Sequence, residues 1–393
     1  VASGQLPQEK FRDTAILASL SLDGSLQTAR GIAAAAVFAA ARKQVHNLVI
    51  PAPASCEITT PTGVEVFALP HLSDAAAYAC GQCQPREHHA YAAETEYPEI
   101  TLEQIFGLSA AKRALAVAAV GRHHMLMVGS PGTGKSLLAR AYRYILPPLG
   151  FAEAAEVTRL YSLAALGSGE LVRVRPYRSP HHSTSMPALV GGSTHARPGE
   201  ISLAHHGTLF LDELPEFRNE ALQSLREPLE DKKITIARAR GHITYPADFQ
   251  LIAAANPCRC GDLFSRERRC SCKGGNSLAQ FSKLVGPFLD RIALEINLNA
   301  LSENFTPSAE LTTAGVQAAV INARAFSLNR NNGKLNSELD PQTLYRIFAK
   351  LDPMQIYERT ATPERLTMRS WLNTLRVALS IADLEGVGVQ ELH

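Results

Sequence analysis

The sequence has 393 residues, of which 46% are hydrophobic and 19% charged, with a net charge of +2. This length exceeds one ordinary core and suits two or three domains, and the composition excludes wholesale disorder. The near-neutral charge excludes a uniformly basic surface, so any contact with a polyanion must be a local patch.

No apolar run approaches the roughly 20 residues that span a bilayer, so no membrane partner and a cytoplasmic location are expected. The opening residues VASGQLPQEK contain neither an initiator methionine nor a signal peptide and read as an entry part-way into a domain.

Residues 1–83 form the first block. DTAILASLSLDGSLQTAR reads as strand, Asp-Gly turn and strand. Gly31–Ala41 is alanine-rich and helical. HNLVIP and GVEVFALP are buried strands, and LSDAAAYAC closes the block as a short helix, giving a small α+β domain. Residues 84–99, polar and without pattern, read as a linker.

Residues 100–304 alternate helix and strand. IFGLSAAKRALAVAAV is a predicted helix, HHMLMVG a strand, and GKSLLARAYRYIL the helix that follows. GTLFLDE and FQLIAAAN are apolar until their C-terminal ends, as in a parallel sheet covered on both faces. From about residue 305 the pattern is helical to the end.

GSPGTGKS fits G-x-x-x-x-G-K-[ST] between a strand and a helix. In such a loop Gly129, Ser130, Pro131, Gly132, Thr133 and Gly134 surround phosphate, all but Pro131 offering a backbone N–H, and the helix N-terminus adds its positive end. Lys135 is expected to reach the β- and γ-phosphates and Ser136 to ligate Mg²⁺, which implies ATP and Mg²⁺. Asp212 ends the GTLFLDE strand where it can hold Mg²⁺, and Glu213 can serve as general base. Asn256 ends FQLIAAAN, where an amide can orient water or sense phosphate. Arg291, in VGPFLDRIALEI, has no second phosphate loop in its own chain and suits a neighbouring subunit's nucleotide. In the last helix, Met368, Leu372, Leu375, Leu379 and Ala382 share one face, with Arg365, Arg369 and Arg376 on a separate stripe.

Four of the seven cysteines, Cys258, Cys260, Cys270 and Cys272, form two C-x-C pairs. Four thiolates can close a tetrahedral structural Zn²⁺ site. Cys80 and Cys83 have no second pair nearby and read as unligated.

KKITIARARGHITYPADF reads as a β-hairpin with Arg240-Gly241-His242 at its tip. Arg238, Arg240 and His242 make it a local basic patch. The adjacent His181 and His182 are expected to point apart and to pack or hydrogen-bond rather than hold a metal.

The phosphate loop, acidic strand end, strand-end Asn and late Arg together resemble an AAA+ ATPase. RPYRSPHHSTSMPALVGG, RPGEISLAHHGTLFLDELPEF, NPCRCGD, GPFLDRI and LRVALSIADLEG are similar to segments of the magnesium-chelatase-like ATPases of the ComM (YifB) type, over nearly the whole chain. The resemblance implies an α/β fold: an AAA+ P-loop αβα sandwich, a C-terminal helical lid over 305–393 and an N-terminal α+β Lon-protease-like domain. It implies a homo-hexameric ring acting on single-stranded or branched DNA, a branch-migration helicase of recombination and natural transformation.

On that resemblance Lys135 and Ser136 match Walker A, and Asp212 and Glu213 match Walker B. Asn256 matches sensor 1, Arg291 the arginine finger and Arg369 the sensor 2 arginine, with Arg376 as a nearby alternative. The Arg240 hairpin resembles a pre-sensor hairpin facing a central pore, which implies that Arg238, Arg240 and His242 contact DNA phosphates independently of base sequence, and SPHHSTSMPALVGGS resembles a second pore insertion.

In active Lon proteases a lysine lies in the helix after the strand. Here Ala33–Ala36 occupy those positions, so a proteolytic dyad is not expected. Two rival readings are a magnesium chelatase ATPase subunit and an ATP-dependent protease.

Overall fold

The computed structural model describes residues 6, 8–28, 32–40, 44–54, 64–84, 98–164, 166, 171–192, 197–238, 241–263, 270–272, 288–300, 311–352 and 367–388. The chain divides into two compact units. One comprises Val1–Thr95, Pro148–Pro176 and Gly192–Gly199, and the other Glu96–Pro147, Tyr177–Gly191 and Glu200–His393.

In the first unit, strands β1 (Thr14–Ile16), β4 (Asn47–Pro51) and β5 (Glu65–Leu69) form a parallel sheet in the order β1-β4-β5. The Asp-Gly turn joins β2 (Ser19–Leu20) to β3 (Leu26–Gln27) as an antiparallel pair. Helices α1 (Ile32–Ala40) and α2 (Asp74–Ala79) lie where the alanine-rich segments predict them. Leu48 and Ile50 of β4 face Ile32 and Ala36 of α1, while Val49 packs with Phe67 and Leu26 on the opposite face. Burial on both faces explains why HNLVIP is apolar without alternation. Helix α5 (Phe151–Leu163) also belongs to this unit.

The second unit opens with helix α3 (Ser109–Gly121). The predicted helix began at Ile105. The structure starts it four residues later, because Gly107 and Leu108 take positive φ (61° and 57°) and break helical geometry. Strand β6 (Met125–Val128) and helix α4 (Lys135–Tyr142) flank the glycine-rich loop. Strand β7 (Tyr177–Arg178), helix α6 (Met186–Val190) and helix α7 (Glu200–Leu203) follow, while of the two-residue strands β8 (Gly191–Gly192) straddles the division and β9 (Arg197–Pro198) belongs to the first unit. Then come β10 (Thr208–Leu211), α8 (Asn219–Ser224), α9 (Arg226–Asp231), the hairpin β11 (Lys233–Arg238) and β12 (Gly241–Pro246), β13 (Gln250–Ala255) and β14 (Leu294–Asn297).

Five of these strands form one parallel sheet in the order β14-β6-β13-β10-β7. The first strand of the sheet therefore lies between the two last ones. Such a reversal of strand order opens a crevice at the C-terminal ends of the strands. Every residue of β6, β10 and β13 is buried. Met125, Met127, Ile252 and Phe210 pack with Leu115 of α3 and with Leu138 and Tyr142 of α4.

Helices α10 (Thr313–Arg330), α11 (Pro341–Ile347) and α12 (Met368–Glu385) complete the unit, each capped by a side chain: Thr312, Asp340 and Thr367 accept from Gly315, Thr343 and Ser370 N–H. The buried face of α12 carries Trp371, Leu375, Leu379 and Ala382. Met368, expected on that face, is 46% exposed. Arg365 lies outside the described residues.

A buried polar network ties these helices to α3. Asn336 Nδ2 donates to Asp383 at 2.7 Å and to Ser380 Oγ at 3.0 Å, and Ser380 Oγ lies 2.8 Å from Nε2 of His123. Arg330 pairs with Asp383 from the other side.

Candidate nucleotide site

The phosphate loop grows directly out of β6. Gly129 N–H donates to Ala255 O at 3.2 Å, extending the pairing of β6 with β13 by one residue. Gly132 and Gly134 then adopt φ of +81° and +90°, which glycine takes at no steric cost. A Cβ built on Gly132 would meet no atom within 4 Å, so the outer side of the loop is open to a ligand.

Lys135 opens α4 and is 8% exposed. Its ammonium donates to Gly129 O at 2.7 Å and Ser130 O at 2.8 Å. Burial pulls its pKa down, against the opposing attraction of the Asp212 carboxylate. Ser136 Oγ donates to Oδ2 of Asp212 at 2.7 Å. Residues 76 positions apart in sequence thus present two hard oxygen donors side by side, a set that suits Mg²⁺.

Asp212 Oδ1 accepts from Glu213 N–H at 2.9 Å. Glu213 leaves the strand in the left-handed region (φ 50°, ψ 45°), which costs an L-residue about 1–2 kcal/mol. Its side chain is 53% exposed beside the Mg²⁺-ligand candidates. Asn256, half-buried, is the first residue beyond β13. The five predicted positions Lys135, Ser136, Asp212, Glu213 and Asn256 therefore collect at the C-terminal ends of three adjacent strands.

Three contacts at this edge have no motif to announce them. Asn299, just after β14, accepts from Ser130 N–H at 3.0 Å and donates to Ser130 Oγ at 3.0 Å. The only sequence sign is the polar ending INLN of an apolar strand. Ser130 Oγ also donates to Gly261 O at 2.7 Å. His182 Nδ1 lies 3.1 Å from Oε2 of Glu213. The two histidine rings were expected to point apart. They lie side by side instead, tilted by 35° with 4.1 Å between centroids, and His181 meets Ser183 Oγ at 2.8 Å.

The late arginines converge on a different place. Arg291 Nη2 lies 2.8 Å from Glu230 Oε2, and Arg369 pairs with the other oxygen of the same carboxylate. Arg369, then Arg291, holds the Glu230 carboxyl below the usual range. Both arginines line a cleft of about 590 Å³ with Arg122, His124 and Arg376, and its lining includes no residue of the phosphate loop, Asp212, Glu213 or Asn256. Arg376 is committed locally: it donates to Leu339 O at 2.7 Å and Asn373 Oδ1 at 3.0 Å. Arg369 is 43% exposed.

The four clustered cysteines do come together, with ligand atoms all within 4.8 Å of one another. In the hairpin, Arg238 pairs with Gly241 and Ala237 with His242. His242 is thus an exposed strand residue rather than part of the tip, since only Ala239 and Arg240 separate the strands. Arg240 and the side chain of Arg238 lie outside the described residues.

Fold and site together define a P-loop protein of the αβα type, with the phosphate loop at the switch point of a doubly covered parallel sheet. Residues 101–305 match the family described as magnesium chelatase, subunit ChlI, and residues 310–392 match its C-terminal family. The chain is 37% identical to the uncharacterized protein YifB of Escherichia coli K12, over 98% of this chain and 76% of that protein. It is 36% identical to competence protein ComM of Haemophilus influenzae, over 98% of this chain and 77% of that protein. A 50-residue stretch is 46% identical to an archaeal Lon protease of Archaeoglobus fulgidus, covering 13% of this chain and 8% of that protein. The chain belongs to the magnesium-chelatase-like AAA+ family of the YifB and ComM type. Among the described residues no helix is long and apolar enough to cross a membrane.

Proposed function

We propose that this chain hydrolyses ATP in a homo-hexameric ring and uses the energy to move DNA, promoting branch migration in recombination and natural transformation. The observation that carries the hydrolytic part is the 2.7 Å contact between Ser136 and Asp212 beside the glycine loop. In this reading Gly129–Ser136 bind the phosphates, and Ser136 and Asp212 hold Mg²⁺. Bound Mg²⁺ neutralises phosphate charge. Glu213 accepts the proton of the attacking water and Asn256 orients that water.

Arg291 and Arg369 act on the nucleotide of a neighbouring copy, where a cation stabilises developing charge. Their separation from their own phosphate loop supports this reading.

The DNA part is supported by the similarity to competence protein ComM. Arg238, Arg240 and His242 of the β11–β12 hairpin would contact phosphates of single-stranded or branched DNA. Residues 1–83 would form a Lon-like domain serving assembly or guidance, in a cytoplasmic protein. Residues 305–393 would act as the lid, and the four cysteines as a zinc site.

A second reading, an ATPase subunit of a magnesium chelatase, is favoured by the family description matched over residues 101–305. ATPase assays with forked DNA or with porphyrin separate the two. Stimulation by DNA, and junction migration lost in Lys135→Ala, is expected; migration that persists in Lys135→Ala sinks the proposal.

A further inference from the structure

The cysteine cluster touches the phosphate loop through one turn. Beyond Asn256 the chain folds over Cys258–Gly261, closed by Gly261 N–H donating to Cys258 O at 3.0 Å. Gly261 takes φ +83°, and a Cβ on it would fall 2.3 Å from Cδ of Pro131. Its carbonyl accepts the Ser130 hydroxyl at 2.7 Å. The turn therefore presses on two consecutive residues of the phosphate loop and shares the Ser130 hydroxyl with Asn299.

Cys258 and Cys260 belong to this same turn, and Cys270 and Cys272 return to it. The sulfurs of Cys258 and Cys260 are 3.2 Å apart, those of Cys260 and Cys270 3.5 Å, and those of Cys258 and Cys270 3.7 Å. A disulfide needs about 2.05 Å. Four thiolates each about 2.3 Å from one zinc ion lie about 3.8 Å apart along the edges of the tetrahedron. The observed spacing is near that of a metal–thiolate cage, and soft sulfur ligands select zinc over magnesium. Between Ala255, where β13 ends, and Leu294, where β14 begins, the described residues contain no strand, so sheet pairing does not fix the turn.

We propose that Cys258, Cys260, Cys270 and Cys272 bind one zinc ion, and that the ion tightens nucleotide binding by holding the Cys258–Gly261 turn against Ser130 and Pro131. The coupling rests on the reading of Gly129–Ser136 as the nucleotide site. The zinc site itself does not. Zinc closes the short loop between the two C-x-C pairs and removes the entropy the turn would otherwise keep. Losing one hydrogen bond to the phosphate loop is worth about a fivefold change in affinity.

The full chain, purified without chelator, would be assayed for zinc by mass spectrometry and for affinity towards a fluorescent ATP analogue. About one zinc per chain is expected. Its removal by a mercurial reagent, or by Cys258→Ser with Cys270→Ser, should weaken nucleotide binding about fivefold or more, and zinc added back after the mercurial is reversed should restore it. Gly261→Ala should keep its zinc and still bind nucleotide more weakly, because it pushes the turn off Pro131.

Absence of zinc overturns the site. Zinc whose removal leaves the affinity unchanged overturns the coupling. Should the double cysteine variant fail to fold, the mercurial arm on the wild-type chain and the Gly261→Ala variant still decide. A zinc-loaded chain that bound no nucleotide would sink the nucleotide-site reading and the coupling together, while the zinc count would still support the metal site.

Discussion

His182 and Glu213 face each other across the end of the sheet, with Nδ1 of one 3.1 Å from Oε2 of the other. The imidazole comes from the turn after β7 and the carboxylate from the end of β10, two strands that pair in parallel. The ring competes with water for one of the two carboxylate oxygens of Glu213. A contact between side chains this exposed contributes about 0–1 kcal/mol, so His182→Ala is expected to raise basal ATP turnover by up to about fivefold. Glu213→Gln should lower turnover at least about a hundredfold with nucleotide affinity retained. Steady-state hydrolysis and nucleotide titration read both. A tenfold or greater fall in His182→Ala would mean that the ring takes part in the chemistry.

Asn299 fixes Ser130 through two hydrogen bonds, one to its N–H and one to its hydroxyl. Asn299→Ala removes both, at about 1–2 kcal/mol, and should weaken nucleotide binding about tenfold. Asn299→Asp keeps the acceptor but places a negative charge beside the phosphates, and should be worse than alanine. Isothermal titration with a non-hydrolysable ATP analogue measures the order of the three proteins.

The shared Glu230 carboxylate holds Arg291 and Arg369 in one cleft apart from the phosphate loop. If each arginine serves a neighbouring copy, Arg291→Ala should lose about 10³-fold or more in turnover. Mixing it with Lys135→Ala should restore activity, since some interfaces then combine an intact loop with an intact arginine. No recovery on mixing, in rings shown to exchange subunits, would place the arginine's action within its own chain.

Stability should fall with acid through two buried histidines. Burial, then the neighbouring His124, pulls the His123 pKa down to about 3. Burial, then Arg122, pulls that of His124 down to about 4. Both rings are neutral in the fold, whereas the unfolded chain takes up protons below about pH 6.5. Their stabilisation is therefore complete above that pH and is lost as pH falls through 6 towards 4, by up to about 1.4 kcal/mol per pH unit for each ring. Urea midpoints at pH 7 and pH 5 should differ less in His124→Gln than in the wild type.

Asn336 is fully buried and links Asn331, Arg330, Ser380 and Asp383. Asn336→Ala would leave several buried polar groups short of a partner, at about 2–4 kcal/mol. A thermal or urea transition measures the loss. An unchanged midpoint would mean that water replaces the amide.

The sequence alone determined the phosphate loop, the acidic strand end at Asp212 and Glu213, the buried strands and the hairpin. Each is a local pattern: glycine spacing, an apolar run that ends in a polar residue, a two-fold alternation. It also offered both Arg369 and Arg376 without choosing between them. Tertiary structure showed Arg376 bound to Leu339 and Arg369 turned towards Glu230. It alone placed Asn299 and Gly261 on the Ser130 hydroxyl, and His182 against Glu213. Those neighbours lie far apart in sequence, and their meeting follows from strand order. Because β6 sits between β13 and β14, whatever follows those two strands must come to rest on the loop that follows β6, and no local pattern in the chain records that order.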